Sequence, residues 1–278
     1  MSDNGARAER LRQDGNDHFR RRNYTAAEAC YSQALVQDPN MTAAYANRAM
    51  CRFFLTSHDA SITDCDAVLA RDPNYLKAHY YKSKNLLALG NVDEASTHAL
   101  LAYEACVAQG ADTSLKMTKE HLLVCRKERW DVKERRRRHA ARAFEREMLG
   151  VLEREIERDV LEAAEGGSEA ELAAVREEGN KRLADLRDVF ERARAKDDVK
   201  REVPEWLIDD ITYNVMLDPV MTPSGRSYER ESITKFVEKA GTDPTTREPL
   251  SKSDLKPNRV LKDACSWFLD ENGWAYDW

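Results

Sequence analysis

Five side chains near the start of the chain fall at spacings that suit anion binding. Arg12 and Asn16 are four residues apart, Lys77 and Tyr81 are four apart, and Asn47 lies between the pairs. On a helix, residues i and i+4 share one face. Two cations and two amides on a common surface suit a pair of carboxylates, because the cations give charge-assisted hydrogen bonds and the amides give neutral donors. The other end offers different chemistry. Residues 211–278 contain one cysteine, Cys265, and no histidine, so they lack the ligands of a zinc site. Cys265 sits in an apolar helical pattern with no histidine nearby in sequence, which reads as a buried structural thiol rather than a nucleophile. Ile211, Tyr213, Leu217 and Pro244 are apolar or amphipathic residues in turn-rich stretches. Spacing alone leaves them open as contact residues or as core.

The first set needs a scaffold that repeats. Asp-Pro-Asn occurs at 38–40 and again at 72–74, a period of 34 residues, which is the length of a tetratricopeptide repeat. In that register the units run 8–41, 42–75 and from 76 onward. Gly15, Ala49 and Ser83 then fall on one crowded position of successive first helices, where small residues let paired helices approach. Each proline closes a unit, because it removes a helix donor and restricts its predecessor. The third unit lacks that proline, so its second helix is expected to run on. Stacked units present their first helices on a concave face. Arg12, Asn16, Asn47, Lys77 and Tyr81 all lie on first helices.

The totals bound the rest. A chain of 278 residues has room for two or three domains. Charged residues make up 34% and hydrophobic ones 42%, which fits a long charged helical component beside small cores. The net charge of −6 gives no general reason to expect nucleic-acid binding. None of the six cysteines forms a C-x-x-C pair, and the histidines at 18, 58, 79, 98, 121 and 139 do not join them at metal spacing. No metal or cofactor is expected, nor a membrane partner, since no stretch is long and apolar enough to span a bilayer. The cysteines read as reduced thiols, and residues 1–7 show no apolar signal segment, so the cytoplasm is the expected location, with nuclear access open.

Residues 111–200 read as long helix. Glu-Arg-Arg-Arg-Arg-His at 134–139 fits a nuclear-localisation or nucleic-acid patch, but the acidic residues that follow favour a solvated helix face. Leu149, Leu152, Ile156 and Val160 recur at spacings of three and four, and Gly150 is a candidate bend. Gly166-Gly167 interrupts the pattern, and Ser168-x-x-Glu171 fits a capping box that opens a second helix with Leu172, Val175, Leu183, Leu186 and Phe190. An antiparallel hairpin with one apolar stripe buries little by itself. A second copy on that stripe would make a four-helix homodimer; the alternative is a monomeric spacer.

Residues 203–278 read as a small α+β domain. Val220-Met-Thr and Arg226-Ser-Tyr228 flank Pro223-Ser-Gly225 as a hairpin. A helix covers 229–240 and stops at Gly241, and a last helix covers 258–271, with Val260, Leu261, Ala264, Trp267, Phe268 and Leu269 available to a core. Two loops, 211–219 and 243–249, frame these elements.

Two resemblances follow. The five polar side chains are similar to the carboxylate clamp of co-chaperone tetratricopeptide domains, which hold the Glu-Glu-Val-Asp end of heat-shock chaperones of the seventy- and ninety-kilodalton classes. Arg12 stands where that clamp has Lys, which keeps the charge and changes its geometry. Tyr81 would give the peptide an apolar wall. The C-terminal order resembles a U-box through Asp218-Pro219, Thr222-Pro-Ser-Gly225, Tyr228, Asp243-Pro244, Thr246-Arg247 and Pro249-Leu250. All three segments together, with the Glu271-Asn-Gly-Trp274 ending, resemble the CHIP family of co-chaperone ubiquitin ligases. The resemblance implies a homodimeric ligase with no nucleophile of its own. It would bind a ubiquitin-conjugating enzyme through Ile211, Tyr213, Leu217 and Pro244, and steady the enzyme-linked ubiquitin with Arg247. Its partners would be chaperone tails, conjugating enzyme, ubiquitin and misfolded clients. The alternative is a non-enzymatic co-chaperone adaptor.

Overall fold

The structure, a computed structural model, describes residues 3–110, 112–196 and 202–277. It is mostly α-helical, with one three-stranded sheet near the C-terminus. The chain divides into two compact units. One contains residues 1–130 and 205–278, and the other residues 131–204.

In the first unit, α1 (Asp3–Arg20) pairs with α2 (Tyr24–Gln37), α3 (Thr42–Phe54) with α4 (His58–Leu69), and α5 (Leu76–Ala88) with α6 (Val92–Ala108). The 34-residue period reaches the backbone. Arg22, Thr56 and Gly90 all adopt left-handed φ, at 59°, 59° and 81°. Each ends a first helix in the same way. The amide of the next residue reaches back to a carbonyl five positions earlier: Asn23 to His18, Ser57 to Arg52 and Asn91 to Leu86. Only the third unit places glycine at that strained position.

The small residues do as expected. A Cβ on Gly15 would lie 2.6 Å from the Tyr31 ring. Ala49 is buried, and its carbonyl accepts from the Ser61 hydroxyl at 2.7 Å. Ser83 is buried and donates to the Ala95 carbonyl at 2.6 Å. The expectation that the third unit's second helix runs on is corrected. α6 has 17 residues against 14 in α2 and 12 in α4, but it stops at Ala108, and Gly110 takes φ 61°.

α7 (Asp112–Gly166) passes through Gly150 without a break. Its first part packs with the repeats: Leu115, Leu122 and Cys125 are buried, and His121 Nε2 meets Ser83 Oγ at 2.8 Å. The compact division falls at 130, within α7. Met117 and Val124, in the same stretch, are exposed.

In the second unit, the rest of α7 folds back along α8 (Glu169–Lys196). The expected capping box is present. Glu171 Oε2 accepts from the Ser168 amide at 2.7 Å, and Ser168 Oγ accepts from the Glu171 amide at 3.3 Å. Ile156 lies over the buried Gly179, where a Cβ would stand 2.6 Å from its Cγ2. Arg182–Glu155 at 3.0 Å and Arg187–Glu153 at 3.6 Å link the two helices at their edges. The seam is thin: Leu149, Leu152, Val160 and Leu186 are half-buried, and Phe144, Leu161 and Val189 are exposed.

The C-terminal part of the first unit has strands β1 (Pro219–Met221), β2 (Ser227–Glu229) and β3 (Lys256–Pro257), antiparallel in the order β2-β1-β3. α9 (Arg230–Ala240) ends at Gly241, which is left-handed at φ 66°, and α10 covers Arg259–Glu271. Val220, Tyr228, Ile233, Val237 and Leu250 form the core, and Ile211 and Leu255 pack on it. Cys265, Phe268 and Leu269 bury the inner face of α10. Val260 and Trp267, expected to serve that core, are 81% and 69% exposed on the other face. Among the described residues, no helix is long and apolar enough to cross a membrane.

Thr56 is β-branched in a conformation that L residues pay about 1 kcal/mol to adopt. Thr56→Gly is expected to stabilise the chain by roughly 0.5–1 kcal/mol, and Gly15→Val to destabilise it by about 2 kcal/mol through the Tyr31 clash. Chemical unfolding of the three chains side by side checks both signs.

Candidate functional site

The concave side of the repeats holds a cavity of about 270 Å³, lined by Asn16, Phe19, Arg20, Tyr31, Asn47 and Met50. Asn16 Oδ1 accepts from the Tyr31 hydroxyl at 2.8 Å and from Asn47 Nδ2 at 3.0 Å. The two expected amides are thus brought together. Because the Asn16 oxygen is satisfied within the chain, its NH₂ group is left to serve an incoming carboxylate.

Arg12 lies one turn earlier on α1 and forms two bonds to Glu9, at 2.9 and 2.5 Å. The bond to Glu9 raises the Arg12 guanidinium above its ordinary value, and the bond from Arg12 lowers the Glu9 carboxyl. A partly exposed i,i+3 pair of this kind contributes about 0.3–0.5 kcal/mol. A pair this weak can be exchanged for an incoming carboxylate. Lys77 is exposed and makes no ion pair among the described residues.

Tyr81 departs from its expected role as a peptide wall. It packs on the cluster of Ala46, Ala49, Cys65, Val68 and Ala78, with its ring edge-on to Phe53 at 5.7 Å, and it does not line the cavity. Burial pushes its phenol up to about 12. Phe19 and Met50 supply the apolar lining instead. Each stands three residues after an expected asparagine, a spacing that marks them on the same face.

The C-terminal domain builds the same loop twice. In the first, the Asp209 carbonyl accepts from the Tyr213 amide at 2.8 Å, and the Asp209 amide donates to the Asn214 carbonyl at 2.9 Å. In the second, the Asp243 carbonyl accepts from the Arg247 amide at 3.0 Å, and its amide donates to the Glu248 carbonyl at 2.8 Å. Bridges Ile208↔Val215 and Thr242↔Pro249 close the two loops at equivalent places. Tyr213 and Arg247 occupy equivalent positions, both left-handed, at φ 58° and 62°. The same strained conformation thus recurs at the same place in both loops.

Carboxylates hold the loops. Asp209 is 0% exposed and accepts from the Thr212 amide at 3.0 Å, the Thr212 hydroxyl at 2.7 Å, the Ser232 hydroxyl at 2.9 Å and the Glu229 amide at 3.0 Å. Asp243 accepts from the amides of Thr245 and Thr246 at 2.8 and 3.1 Å and from Ser224 Oγ at 2.9 Å. Burial alone would raise its carboxyl, but the Thr245 and Thr246 amides and the Ser224 hydroxyl outweigh it and hold it low. The hairpin tip ties the loops to each other: Ser224 binds Asp243, and Arg226 Nη1 donates to Asp210 Oδ2 at 3.2 Å.

The expected contact residues divide. Tyr213 is 74% exposed and Arg247 is exposed. Pro244 is half-exposed, and Ile211 shows one side while its other packs on the core. Leu217 is corrected: it is 6% exposed and belongs to the interior. Trp206, 61% exposed, is a large apolar residue of this domain that sequence reading passed over. Cys265 is buried, and burial pushes its thiol up to about 12, which leaves no thiolate for covalent chemistry at neutral pH. Among the described residues no group of histidine, cysteine, aspartate or glutamate could hold a metal.

The U-box domain family matches residues 203–274. The E3 ubiquitin-protein ligase CHIP of Arabidopsis thaliana is 29% identical over 277 residues, covering 98% of this chain and 96% of that protein. The Hsp70/Hsp90 co-chaperone cns1 of Schizosaccharomyces pombe is 38% identical over 92 residues, covering 32% of this chain and 26% of that protein. Among solved structures, the first tetratricopeptide domain of Spaghetti (RPAP3) bound to the HSP90 peptide SRMEEVD aligns at 25% identity. It covers 42% of this chain and 94% of that one, with a TM-score of 0.37.

Asp209→Ala strips four donors of their acceptor, and each unmet buried group costs about 1–3 kcal/mol. The variant is expected to unfold the C-terminal domain below the melting of the repeats, seen as loss of Trp fluorescence change at the parent temperature. A strong chelator is expected to leave the melting curve of the parent unchanged.

Proposed function

The chain is CHIP-like, with a tetratricopeptide domain and a U-box on one polypeptide, and on that premise we propose that it is a ubiquitin ligase that works as a co-chaperone. The single observation that carries this reading is the pairing of a groove lined by Asn16 and Asn47 with two matched loops that expose Tyr213 and Arg247.

The groove takes the acidic end of a heat-shock chaperone. Asn16 and Asn47 give neutral donors, Phe19 and Met50 give apolar surface, and Arg12 on α1 and Lys77 on α5, outside the cavity lining, give charge to the approaching tail. A free terminal carboxylate is therefore part of what is recognised. The U-box takes a conjugating enzyme that carries ubiquitin as a thioester. Ile211, Tyr213 and Pro244 supply apolar contact, and Arg247 can bridge carbonyls of enzyme and ubiquitin with its planar donor fork.

The ligase forms no covalent bond to ubiquitin. A client lysine amine attacks the thioester carbonyl, the isopeptide bond forms as the C–S bond breaks, the conjugating enzyme's cysteine leaves as thiolate, and the amine's proton passes to solvent. The chain contributes geometry, raising the fraction of time in which amine and thioester are aligned. Clients are the misfolded proteins held by the bound chaperone. The exposed apolar residues of the α7–α8 hairpin, Phe144, Leu161 and Val189, support a homodimer that closes this thin seam. The place of action is the cytoplasm, with entry to the nucleus.

Three measurements test the reading. A peptide ending in Glu-Glu-Val-Asp is expected to bind at least about tenfold tighter than its C-terminal amide, a loss of ~1.4 kcal/mol for one charged contact; equal affinity removes the groove from the account. Pro244→Ala is expected to abolish ubiquitin discharge from conjugating enzyme while peptide affinity holds; loss of both marks the proline as structural. Solution mass by light scattering is expected to give twice the chain mass, and a monomer at micromolar concentration refutes the dimer.

A further inference from the structure

The first U-box loop is pinned from outside its own domain. Glu229, on β2, is 2% exposed. Its Oε2 accepts from the amides of Leu217 and Asp218, at 2.7 and 3.1 Å, where the first loop returns to β1. Its Oε1 has no hydrogen-bond donor in good geometry; what it has is the Lys119 ammonium at 3.3 Å. Lys119 belongs to α7, in the part packed on the repeats, and it also meets Glu231 at 3.1 Å.

Two further observations make this link more than a surface pair. The first is burial: Lys119 is only 17% exposed, so its charge and that of Glu229 face each other out of water. Burial alone would depress the ammonium, but Glu229 and Glu231 raise it above its ordinary value. Removing one partner of such a pair leaves an uncompensated buried charge. The second is a cavity of about 220 Å³ beside the pair, lined by Lys119, Glu229 and Leu217 and by Thr212, Asn214 and Val215 of the first loop. That side of the loop borders open space rather than another element. Beyond the Asp209 bonds, its return to β1 is held by the two amide bonds to Glu229, whose second oxygen faces Lys119. Further along the same seam, Tyr103 of α6 donates to Asp218 at 3.1 Å and Arg129 of α7 to Asp270 at 2.9 Å.

We propose that Lys119 is a positioning residue for ubiquitin transfer: acting through Glu229, it sets the pose of the loop that receives the conjugating enzyme and ties that pose to the repeat domain. The role rests on the ligase reading above. Lys119 touches neither enzyme nor ubiquitin; its effect is on how often the Ile211–Tyr213 surface stands ready.

The test uses the full chain with Lys119→Met and Lys119→Arg, read by amide hydrogen exchange and by discharge kinetics against conjugating-enzyme concentration. In Lys119→Met, exchange at Leu217 and Asp218 is expected to rise about tenfold while Thr245 and Thr246 in the second loop stay as in the parent. KM for the charged conjugating enzyme should rise about fivefold with kcat and peptide affinity unchanged, because the loop is less often in its binding pose. Lys119→Arg keeps the charge and should restore both readouts to within about twofold. If the methionine variant does not fold, Lys119→Gln, which keeps length and a donor without charge, takes its place with the same expectations. Unchanged exchange at Leu217 and Asp218 overturns the proposal, as does an equal rise in both loops, which would mean general loosening. A parent chain without discharge activity overturns the ligase reading itself; the exchange result is independent of it and separates the two failures.

Discussion

An aspartate at the head of each U-box loop does the work that a metal does in a zinc-bound domain of similar outline. The demand is the same in both cases: a short loop must hold several amides inward with too little core to fix them. Asp209 and Asp243 meet it by accepting those amides, and each gathers hydroxyls from a neighbouring element as well. A buried carboxylate costs several kcal/mol to desolvate, and it is tolerated only where its acceptor sites are filled. Here they are filled by the loop itself, so loop shape and charge burial support each other. Loss of either exposes the other.

That closure has a consequence at the far side of each loop. Folding back on the aspartate forces residue i+4 into left-handed φ, and both loops place a large side chain there rather than glycine. The strain costs about 1 kcal/mol per residue. It is offset by the carboxylate network, and it turns Tyr213 and Arg247 toward solvent on equivalent turns. The repeats solve a related problem with cheaper means. Their left-handed positions at 22, 56 and 90 are also exposed, but the groove between the helices depends on small residues and on one asparagine oxygen shared by Tyr31 and Asn47. In both domains a polar atom satisfied within the chain leaves a neighbouring group free to meet a partner.

Much of this was legible in the sequence because it follows from local rules. The prolines at 39 and 73, the small residues at 15, 49 and 83, and the Ser168 capping box each act within one turn or one helix pair, and each appears in the fold. What sequence reading misplaced were faces decided by tertiary packing. Leu217 and Tyr213 lie on one loop, yet one is interior and the other exposed, because Glu229 pulls the Leu217 amide inward. Val260 and Trp267 fit the apolar period of α10 but lie on the side that no element covers. Tyr81 fills space between repeats, since Phe53 and the Ala46–Ala78 cluster reach it first. Asp209 was missed although its Asp-x-x-Thr spacing recurs at Asp243. The loop was read as starting at Ile211, so its closing residue fell outside. The Lys119–Glu229 pair had no signal at all, because its partners stand 110 positions apart in sequence and α7 carries other lysines at 116, 127 and 133.

The character of the seam between the repeats and the U-box bears on how the chain can work. Tyr103, Lys119 and Arg129 face Asp218, Glu229, Glu231 and Asp270, so polar and charged side chains carry these contacts. A buried pair such as Lys119–Glu229 gives little net stability, since desolvation consumes most of the attraction, but it penalises misaligned arrangements heavily. The Lys119–Glu229 pair therefore favours one register of the U-box against the repeats. A contact that fixes orientation suits a ligase whose transfer surface must stand in a defined place relative to a bound chaperone.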